Sequence, residues 1–307
     1  MAVSVGAGRV PRGGSGLSEH LRTLAVAARL GWRLEANWTD PFLFAIYSIV
    51  KPVSSALILV VMLDVTGGPE GRAFRPFVVV GSALWAFVTS GISGLAQTIL
   101  DDRERYRVLK YVYTSPSNFL VVLVGRGVAR LVVGLAGVVI TLAVGIVGLG
   151  VPFNPGSIDW PLLAIASVVG LVSIIALGVL MAAVCIQTRQ DAWHYAEAVA
   201  GALFLVSGAI FPLTVLPQAV QAIGLATPLT WWLAAVRMAL FRGGPEAIGG
   251  DGSLFASLAG HAAPTPAELV VALLVTGAVS TLLALALFRV SDHRAKSAGM
   301  YDRTTGS

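Results

Sequence analysis

Long runs without charged residues dominate this sequence. Residues 131–150 carry no charge at all, and comparable apolar runs recur through most of the chain. A helix of about 20 predominantly apolar residues is long enough to cross the hydrocarbon core of a bilayer. The chain is 56% hydrophobic and 12% charged, whereas a soluble domain is about 25% charged. The sequence therefore predicts an all-α polytopic membrane protein.

The positions of the apolar runs predict six membrane spans and two flanking segments. An N-terminal tail at residues 1–16, rich in Gly, Arg and Ser, is expected to be disordered. Residues 17–38 are predicted to form an amphipathic helix in the membrane interface, because their arginines follow one stripe; a solvated helix packed on a partner is the alternative. The transmembrane domain is placed at 17–289 and a tail at 290–307. The predicted spans are about 42–63, 76–100, 119–150, 161–186, 195–212 and 267–289.

The distribution of Lys and Arg predicts the orientation. Of the 21 Lys and Arg residues, 14 lie in the N-terminal segment, the 101–118 loop, the 187–195 loop and the C-terminal tail, and 4 lie in the alternate connections. Since cytoplasmic loops carry the excess of basic residues, both termini are expected in the cytoplasm and the protein in the plasma membrane. The net charge of +5 follows from these loops. Nucleic-acid binding is not expected, because no aromatic-basic groove motif accompanies the charge.

The segment DDRERYRVLKYVYTSP, residues 101–116, concentrates charge between spans two and three. Read as a helix, it pairs Asp101 and Asp102 with Arg105 at helical spacing, which supports a short helix in water. Such a helix suits docking to another protein, while a solvated anchor that only enforces topology is the alternative. A metal site built from the acidic residues is disfavoured, because arginines alternate with them.

Two further features of this segment predict its fold. Tyr106, Leu109 and Tyr113 fall on one apolar stripe of the helix. Ser115 before Pro116 is a helix-start signature, since the hydroxyl can cap a helix whose first turn tolerates proline. We therefore expect one cytoplasmic helix over 101–114 and a new helix from Pro116.

The apolar stretch 207–241 is interrupted by Pro212, Pro217 and Pro228. Broken backbone at membrane depth is tolerated only where it is buried in protein or lines a cavity. The prolines therefore predict a pair of short re-entrant helices that enter from the outer side before the last span. A loosely embedded outer loop is the alternative.

These two segments resemble the ABC-2-type transporter permeases, the membrane subunits of ATP-driven exporters that include drug and polysaccharide exporters. In the first segment, the acidic-Arg-Glu cluster and the Ser-Pro pair match the family's cytoplasmic loop. In the second, a pattern of nine residues matches in order and spacing. Its members are Ser207, Gly208, Phe211, Pro212, Leu216, Pro217, Pro228, Thr230 and Arg237.

The resemblance implies roles for both segments and an assembly. The 101–114 helix would couple the chain to two copies of a cytoplasmic ABC ATPase, and a second permease chain would complete a homodimer. The chain itself is expected to be a transporter subunit and not an enzyme, to bind no metal or other cofactor, and to leave ATP and Mg on the ATPase. Implied coupling residues are Asp102, Arg103, Glu104, Arg105, Tyr106 and Leu109. Implied residues of an external gate are Phe211, Pro212, Pro217, Pro228 and Thr230.

The sequence also predicts that any ATPase is a separate polypeptide. A P-loop needs a lysine directly after glycine, and none of the three lysines, at positions 51, 110 and 296, follows one. An integral-membrane lipid-group transferase and an ion-coupled secondary transporter are the alternative functions. An amphiphilic, lipid-like or drug-like substrate is expected.

Lys51 is the candidate for the translocation path. It lies about nine residues into the first predicted span, beside Pro52. Ionisable residues inside membrane spans are rare and mark substrate or ion pathways. The side chain either snorkels toward the cytoplasmic surface or faces a polar cavity or an anionic substrate headgroup.

Overall fold

A computed structural model describes residues 17–36, 41–114, 117–188, 192–241 and 247–298. These residues form helices and connections without any strand, which confirms the all-α fold. Residues 1–16, Ser115 and Pro116 lie outside the described part of the chain. The helices are α1 (Leu17–Ala36), α2 (Pro41–Leu100), α3 (Leu109–Thr114), α4 (Phe119–Gly148), α5 (Trp160–Gln187), α6 (Ala192–Val206), α7 (Gln218–Ala226), α8 (Pro228–Leu240), α9 (Leu254–Ala259) and α10 (Pro266–Ser297).

Helix α2 is bent into a hairpin of two helical arms. Arg75 Nη2 lies 2.7 Å from the Oδ2 atom of Asp64, which is 11 residues earlier. In a straight helix these residues would be about 16 Å apart along the axis. The chain therefore reverses between them, and Val60 of the first arm packs against Val79 of the second. The two arms correspond to the first two predicted spans.

Five helical segments of the described chain are long and apolar enough to cross a membrane. They are the two arms of α2, together with α4, α5 and α10. Helix α6 has 15 residues and ends at Val206, six residues before the predicted end of span five, so it rises about 22 Å. Helices α7 and α8 meet at 83° and together could form a broken span or a re-entrant pair.

The start of α4 is marked by an asparagine N-cap. The helix begins at Phe119, and its N-cap is Asn118, whose side chain accepts a hydrogen bond from the Leu120 amide. The predicted helix start at Pro116 with a Ser115 cap falls on residues outside the described part of the chain. Asparagine is a strong N-cap residue, and the sequence analysis did not consider Asn118 for this role.

The second arm of α2 forms the centre of the bundle. Its buried side chains, such as Val80, Val88 and Ile92, pack against α4, α5, α6 and α8. Helix α1 lies on the first half of α4, and α10 lies on α5 and α8. The first arm of α2 is much more exposed, with Ile58 and Met62 on its surface.

The bundle has two chemically different ends. At the charged end, Gln187 at the end of α5 donates to the Ser291 carbonyl of α10 over 2.8 Å, and the segment after α2 lies here. At the loop end lie the α2 reversal, the 149–159 connection and residues 207–241 and 247–264. Arg75 donates there to the Leu149 carbonyl over 3.3 Å. The described parts of the segments that the Lys and Arg distribution assigned to one side thus lie at one end.

Close contact between α2 and α5 depends on Gly178. A Cβ atom at this position would lie 2.7 Å from the carbonyl oxygen of Gly91 and 2.6 Å from Cδ1 of Leu95. Small residues let helices approach closely in membranes, where packing drives helix association. Gly201 of α6 provides a contrast, because a Cβ there would meet nothing within 4 Å.

We expect Gly178→Ala to destabilise the protein by about 2 kcal/mol, because overpacking forces the two backbones apart. The matched Gly201→Ala variant should be neutral or slightly stabilising, since alanine favours helix. Thermal unfolding in detergent can be followed with a thiol-reactive dye, because Cys185 is the single cysteine and is buried. Equal melting temperatures for the two variants would contradict this interpretation of the α2–α5 contact.

Candidate functional site

The charged segment begins as a direct continuation of α2. Asp101–Arg105 form one turn of π-helix, closed by a hydrogen bond of 2.8 Å from the Tyr106 amide to the Asp101 carbonyl. The helix then breaks, and Arg107 takes a left-handed backbone conformation with φ of 53°, which is uncommon for any residue except glycine. Helix α3 follows from Leu109. The predicted single helix over 101–114 is therefore two short pieces.

The two aspartates of this segment pair with arginines of α4. Asp101 accepts a hydrogen bond of 2.8 Å from Arg130 and another of 3.1 Å from Gln97. Asp102 forms an ion pair with Arg126, and both side chains are 5% exposed. A π-helical turn adds one residue to the turn and redirects the side chains around it. The pairs within the segment were predicted from straight-helix spacing, whereas these cross-helix partners depend on packing.

Arg103 links the segment to α5. Its Nη1 atom donates to the carbonyl oxygens of Cys185 and Thr188, over 3.1 Å and 2.8 Å, where α5 ends. Its Nη2 atom donates to Glu104 over 2.9 Å. The last carbonyls of a helix have no partner within the helix, and a cation there also complements the helix dipole. Arg103 therefore satisfies the end of α5 while remaining 7% exposed.

The described residues of the predicted apolar stripe differ in burial. Leu109 is buried at the charged end in a cluster with Ile99, Leu123 and Ile186. Tyr111, which the apolar stripe did not include, is 66% exposed. The stripe was derived from one continuous helix, and the break before α3 changes which residues share a face. Glu104, Arg105 and Arg107 are also exposed, Tyr106 is half-buried, and the side chain of Tyr113 lies outside the described residues.

A polar cavity of about 250 Å³ lies beside this segment, between α1, α2 and α4. Asp101, Arg105, Tyr106 and Arg130 contribute to its wall. Arg130 lies 3.6 Å from Glu35 of α1 as well as pairing with Asp101. Its charge is therefore shared between α1 and α2, and the amphipathic α1 is held at the charged end.

The loop end contains a buried arginine of its own, Arg237 of α8, which is 6% exposed. Its guanidinium donates to the carbonyl oxygens of Gly208, over 2.8 Å, and of Ala209. It also donates to the Phe77 carbonyl over 3.3 Å and stacks on the Phe77 ring at 3.7 Å. The Gly208 and Ala209 carbonyls have no helical partner because α6 ends at Val206. Gly208 has a left-handed backbone conformation with φ of 70°, which turns the chain there. Arg237 thus ties α2 and α8 to that turn.

The bend between α7 and α8 is held by side chains that satisfy the end of α7. Thr230, which is fully buried, donates to the Gly224 carbonyl over 2.7 Å. Trp231 donates from its indole to the Leu225 carbonyl over 2.8 Å. Pro228 occupies the first position of α8, where no amide hydrogen is needed. Pro217 is the N-cap of α7. Phe211 and Pro212 are half-buried in the turn before it.

Residues 247–264, which we call the cap segment, cover this bent pair. The Leu213 amide donates to the Ala247 carbonyl over 2.9 Å, and the buried Gln221 of α7 accepts from the Leu254 amide over 2.8 Å. Phe255 packs edge-on against Trp231, with ring centroids 6.1 Å apart. The Gly- and Pro-rich sequence of this segment has no hydrophobic periodicity from which this packing could be predicted.

A groove of about 600 Å³ opens between the two arms of α2, α4 and α6. Lys51 lies on its wall and is exposed. The neighbouring Pro52 lies against Gly137, where a Cβ would be 3.7 Å from Pro52 Cγ, and Gly137 is close to the middle of α4. Lys51 therefore occupies the mid-height of the bundle beside a cavity. We call this cavity the Lys51 groove.

Comparison with protein families identifies the chain. The family model described as ABC-2 type transporter matches residues 29–241, which is more than two thirds of the sequence. The chain belongs to the ABC-2 transporter family. A search of the curated proteins finds no match to it. As an ABC-2 protein it is a membrane subunit of an ABC-type transporter, and such subunits work with an ABC ATPase. The cap segment lies beyond the matched residues of this ABC-2 chain.

We expect Asp102→Asn to destabilise the ABC-2 chain by about 3 kcal/mol, because it leaves the Arg126 charge buried without a carboxylate. Glu104→Gln should have little effect, since Glu104 is exposed. The exchange Asp102→Arg with Arg126→Asp should recover part of the loss. Melting temperatures of the four proteins in detergent check this, and equal values for Asp102→Asn and Glu104→Gln would contradict it.

We expect Arg237→Met to loosen the turn at 207–211, because three buried carbonyls lose their donor. Ala209 is fully buried, so a cysteine placed there in a Cys185→Ser background should resist maleimide labelling. Adding Arg237→Met should make this cysteine reactive. Arg75→Met, which removes the loop-end arginine that pairs with Asp64, serves as the control and should leave it protected. Protection in both variants would show that Arg237 does not hold the turn.

Proposed function

We propose that this ABC-2 chain is the permease of an ATP-driven exporter in the plasma membrane, with its charged end in the cytoplasm. The proposed cargo is an amphiphilic, lipid-like or drug-like molecule. The orientation is supported by the basic residues of the segments at the charged end, since cytoplasmic loops carry the excess of Lys and Arg. Export, as opposed to import, follows the resemblance to exporter permeases.

The observation that carries the proposal is the division of the charged segment into exposed residues and buried residues that bind neighbouring helices. Glu104, Arg105, Arg107 and Tyr111 are exposed on a short stretch, while Asp102 and Arg103 are buried and bound to α4 and α5. Exposed charges and an aromatic ring suit recognition by a protein surface. The same stretch continues α2 and is bound to α4 and α5. A displacement of the stretch by the ATPase would therefore move these three spans together as a rigid body.

The implied coupling residues therefore divide into two groups. Glu104 and Arg105 would contact the ATPase directly. Asp102 and Arg103 would act as positioning residues, since a buried ion pair with Arg126 and two carbonyl hydrogen bonds fix the segment. Leu109 would hold α3 through the apolar cluster at the charged end, and Tyr106 would lie between the two groups.

At the loop end, the bent α7–α8 pair would form the external gate. The proposed gate residues Phe211, Pro212, Pro217, Pro228 and Thr230 lie in the turn before α7 or at the ends of the two helices. Thr230 and Pro228 are buried and hold the bend, whereas Pro217 is exposed. A gate of this kind would open when α7 moves relative to α8 about Thr227.

The proposed assembly contains two ABC-2 chains and two ATPase chains. A homodimer is the simplest arrangement, because closed two-fold symmetry is the commonest in oligomers. ATP and Mg would be bound by the ATPase, since no lysine of the permease follows a glycine as a P-loop requires. The permease chain would bind no cofactor of its own.

The proposal is tested by reversing the exposed charges of the segment. We expect Glu104→Lys with Arg105→Glu to reduce co-purification of an ABC ATPase with the tagged full-length chain about tenfold, because like charges would then face each other. The chain is purified from membranes of its native host, and the ATPase is quantified by mass spectrometry. ATP hydrolysis by the purified complex is measured in parallel.

A double reversal elsewhere at the charged end is the control. Asp292 and Lys296 of α10 form an ion pair of 2.6 Å at the same end, so Asp292→Lys with Lys296→Asp preserves a pair and should leave the complex intact. Unchanged association and unchanged hydrolysis in the Glu104 and Arg105 variant would remove the proposed docking surface. Labelling of the charged segment from outside intact cells would overturn the proposed orientation.

A further inference from the structure

The walls of the Lys51 groove are apolar along most of their length. Ile58 and Leu59 of the first arm of α2, Trp85 of the second arm and Phe204 of α6 contribute large side chains. Gly134 and Gly137 of α4 keep the opposite wall low. A volume of about 600 Å³ lies in the usual range of ligand pockets, about 300–1,000 Å³. The groove therefore has the shape and surface to hold an apolar chain.

The charges of the groove are arranged at one end. Lys51 is the one cation among the described residues that line it, and Glu35 lies at the edge toward the charged end. The Glu35 carboxylate is 3.6 Å from Arg130, a cation outside the groove that it shares with Asp101. In surroundings of low polarity, an ammonium group attracts an anion much more strongly than it does in water. The electrostatics of the groove thus favour one anionic group near Lys51.

Hydroxyl groups in the groove do not compete for this role. Ser55, Thr89 and Ser90 donate to the carbonyl oxygens four residues earlier, over 3.0, 3.0 and 2.9 Å, and Ser82 donates to the carbonyl three residues earlier, over 3.0 Å. A hydroxyl that donates in this way keeps only its acceptor lone pairs for a ligand. In these hydrogen bonds the lining hydroxyls offer no donor to an anion, whereas the ammonium group of Lys51 has three donor hydrogens.

We propose that the Lys51 groove binds an anionic amphiphile with a single apolar chain. Its acid group lies against Lys51 and its chain extends between the arms of α2 toward Ser82 and the loop end. This direction matches that of an inner-leaflet lipid when the charged end faces the cytoplasm, but the acid group of the bound molecule lies deeper, at the mid-height of the bundle. This inference rests on the proposed function in one respect, since the bound molecule would be the cargo; binding itself needs no ATPase.

The test is photolabelling of the purified full-length chain in nanodiscs of phosphatidylcholine. The probe is hexadecyl phosphate that carries a diazirine in its chain, and labelled peptides are located by mass spectrometry. We expect labels in peptides that contain residues 55–59 and 82–90. Unlabelled hexadecyl phosphate should compete about tenfold more strongly than hexadecanol at equal membrane mole fraction, because a charge-assisted contact distinguishes them.

Variants separate the charge from the apolar walls. Lys51→Gln should make the two competitors equal, and Lys51→Arg should retain the difference. Gly137→Leu should reduce labelling by every probe, because its side chain would enter the groove; a Cβ there meets only Pro52, at an ordinary contact distance. Lys296→Gln removes a lysine that lies outside the groove and pairs with Asp292, and it should change nothing.

Equal competition by the alcohol and the phosphate in the unchanged protein would overturn the proposal, as would a preference for the phosphate that survives Lys51→Gln. Absence of labels from the groove peptides would also overturn it, whether a second copy of the chain or bulk lipid occupies the groove. These outcomes leave ATPase association untouched, so failure of the groove proposal and failure of the docking proposal are distinguishable.

Discussion

Charge buried at one end of an apolar bundle is the constraint on which the rest of the structure depends. The Asp102–Arg126 pair joins the second arm of α2 to α4, and Arg103 joins it to the end of α5. Removing one member of a buried pair leaves a charge whose desolvation is not repaid, which costs several kcal/mol. The three spans therefore cannot slide past one another by a helical turn without a large penalty. Their register, and with it the position of the exposed coupling surface, follows from these contacts.

The loop end solves the same physical problem with carbonyl groups instead of carboxylates. Arg237 is satisfied by backbone oxygens that the end of α6 leaves without helical partners, and by the face of the Phe77 ring. Thr230 does the same for the end of α7. Broken helices at membrane depth need such partners, because lipid supplies none. Both ends of the bundle are thus cross-linked by polar contacts, and between them small residues of α4 leave room for the Lys51 groove.

Sequence reasoning succeeded where the signal is local and failed where a partner is distant. The apolar runs, the amphipathic α1 and the bent pair at Pro228 were all visible, because helix periodicity and proline act within a few residues. The continuity of the charged segment was misjudged. No local pattern predicts the π-helical turn at Asp101–Arg105 or the break before α3, and the ion pairs of this segment with α4 join residues that are distant in sequence. Tyr111 was missed for the same reason.

The amino-acid sequence by itself determined that this chain is a helical membrane protein, which loops carry the basic residues, and where its helices break. Only the tertiary structure decided which charges are buried and which face outward. Arg103 meets its carbonyl partner 82 residues further along the chain, and Arg237 meets Phe77 across 160 residues. Such pairings depend on how close two helices can pack, which small residues such as Gly178 permit. Hydropathy measures how strongly a segment prefers lipid, and it contains no information about these distances.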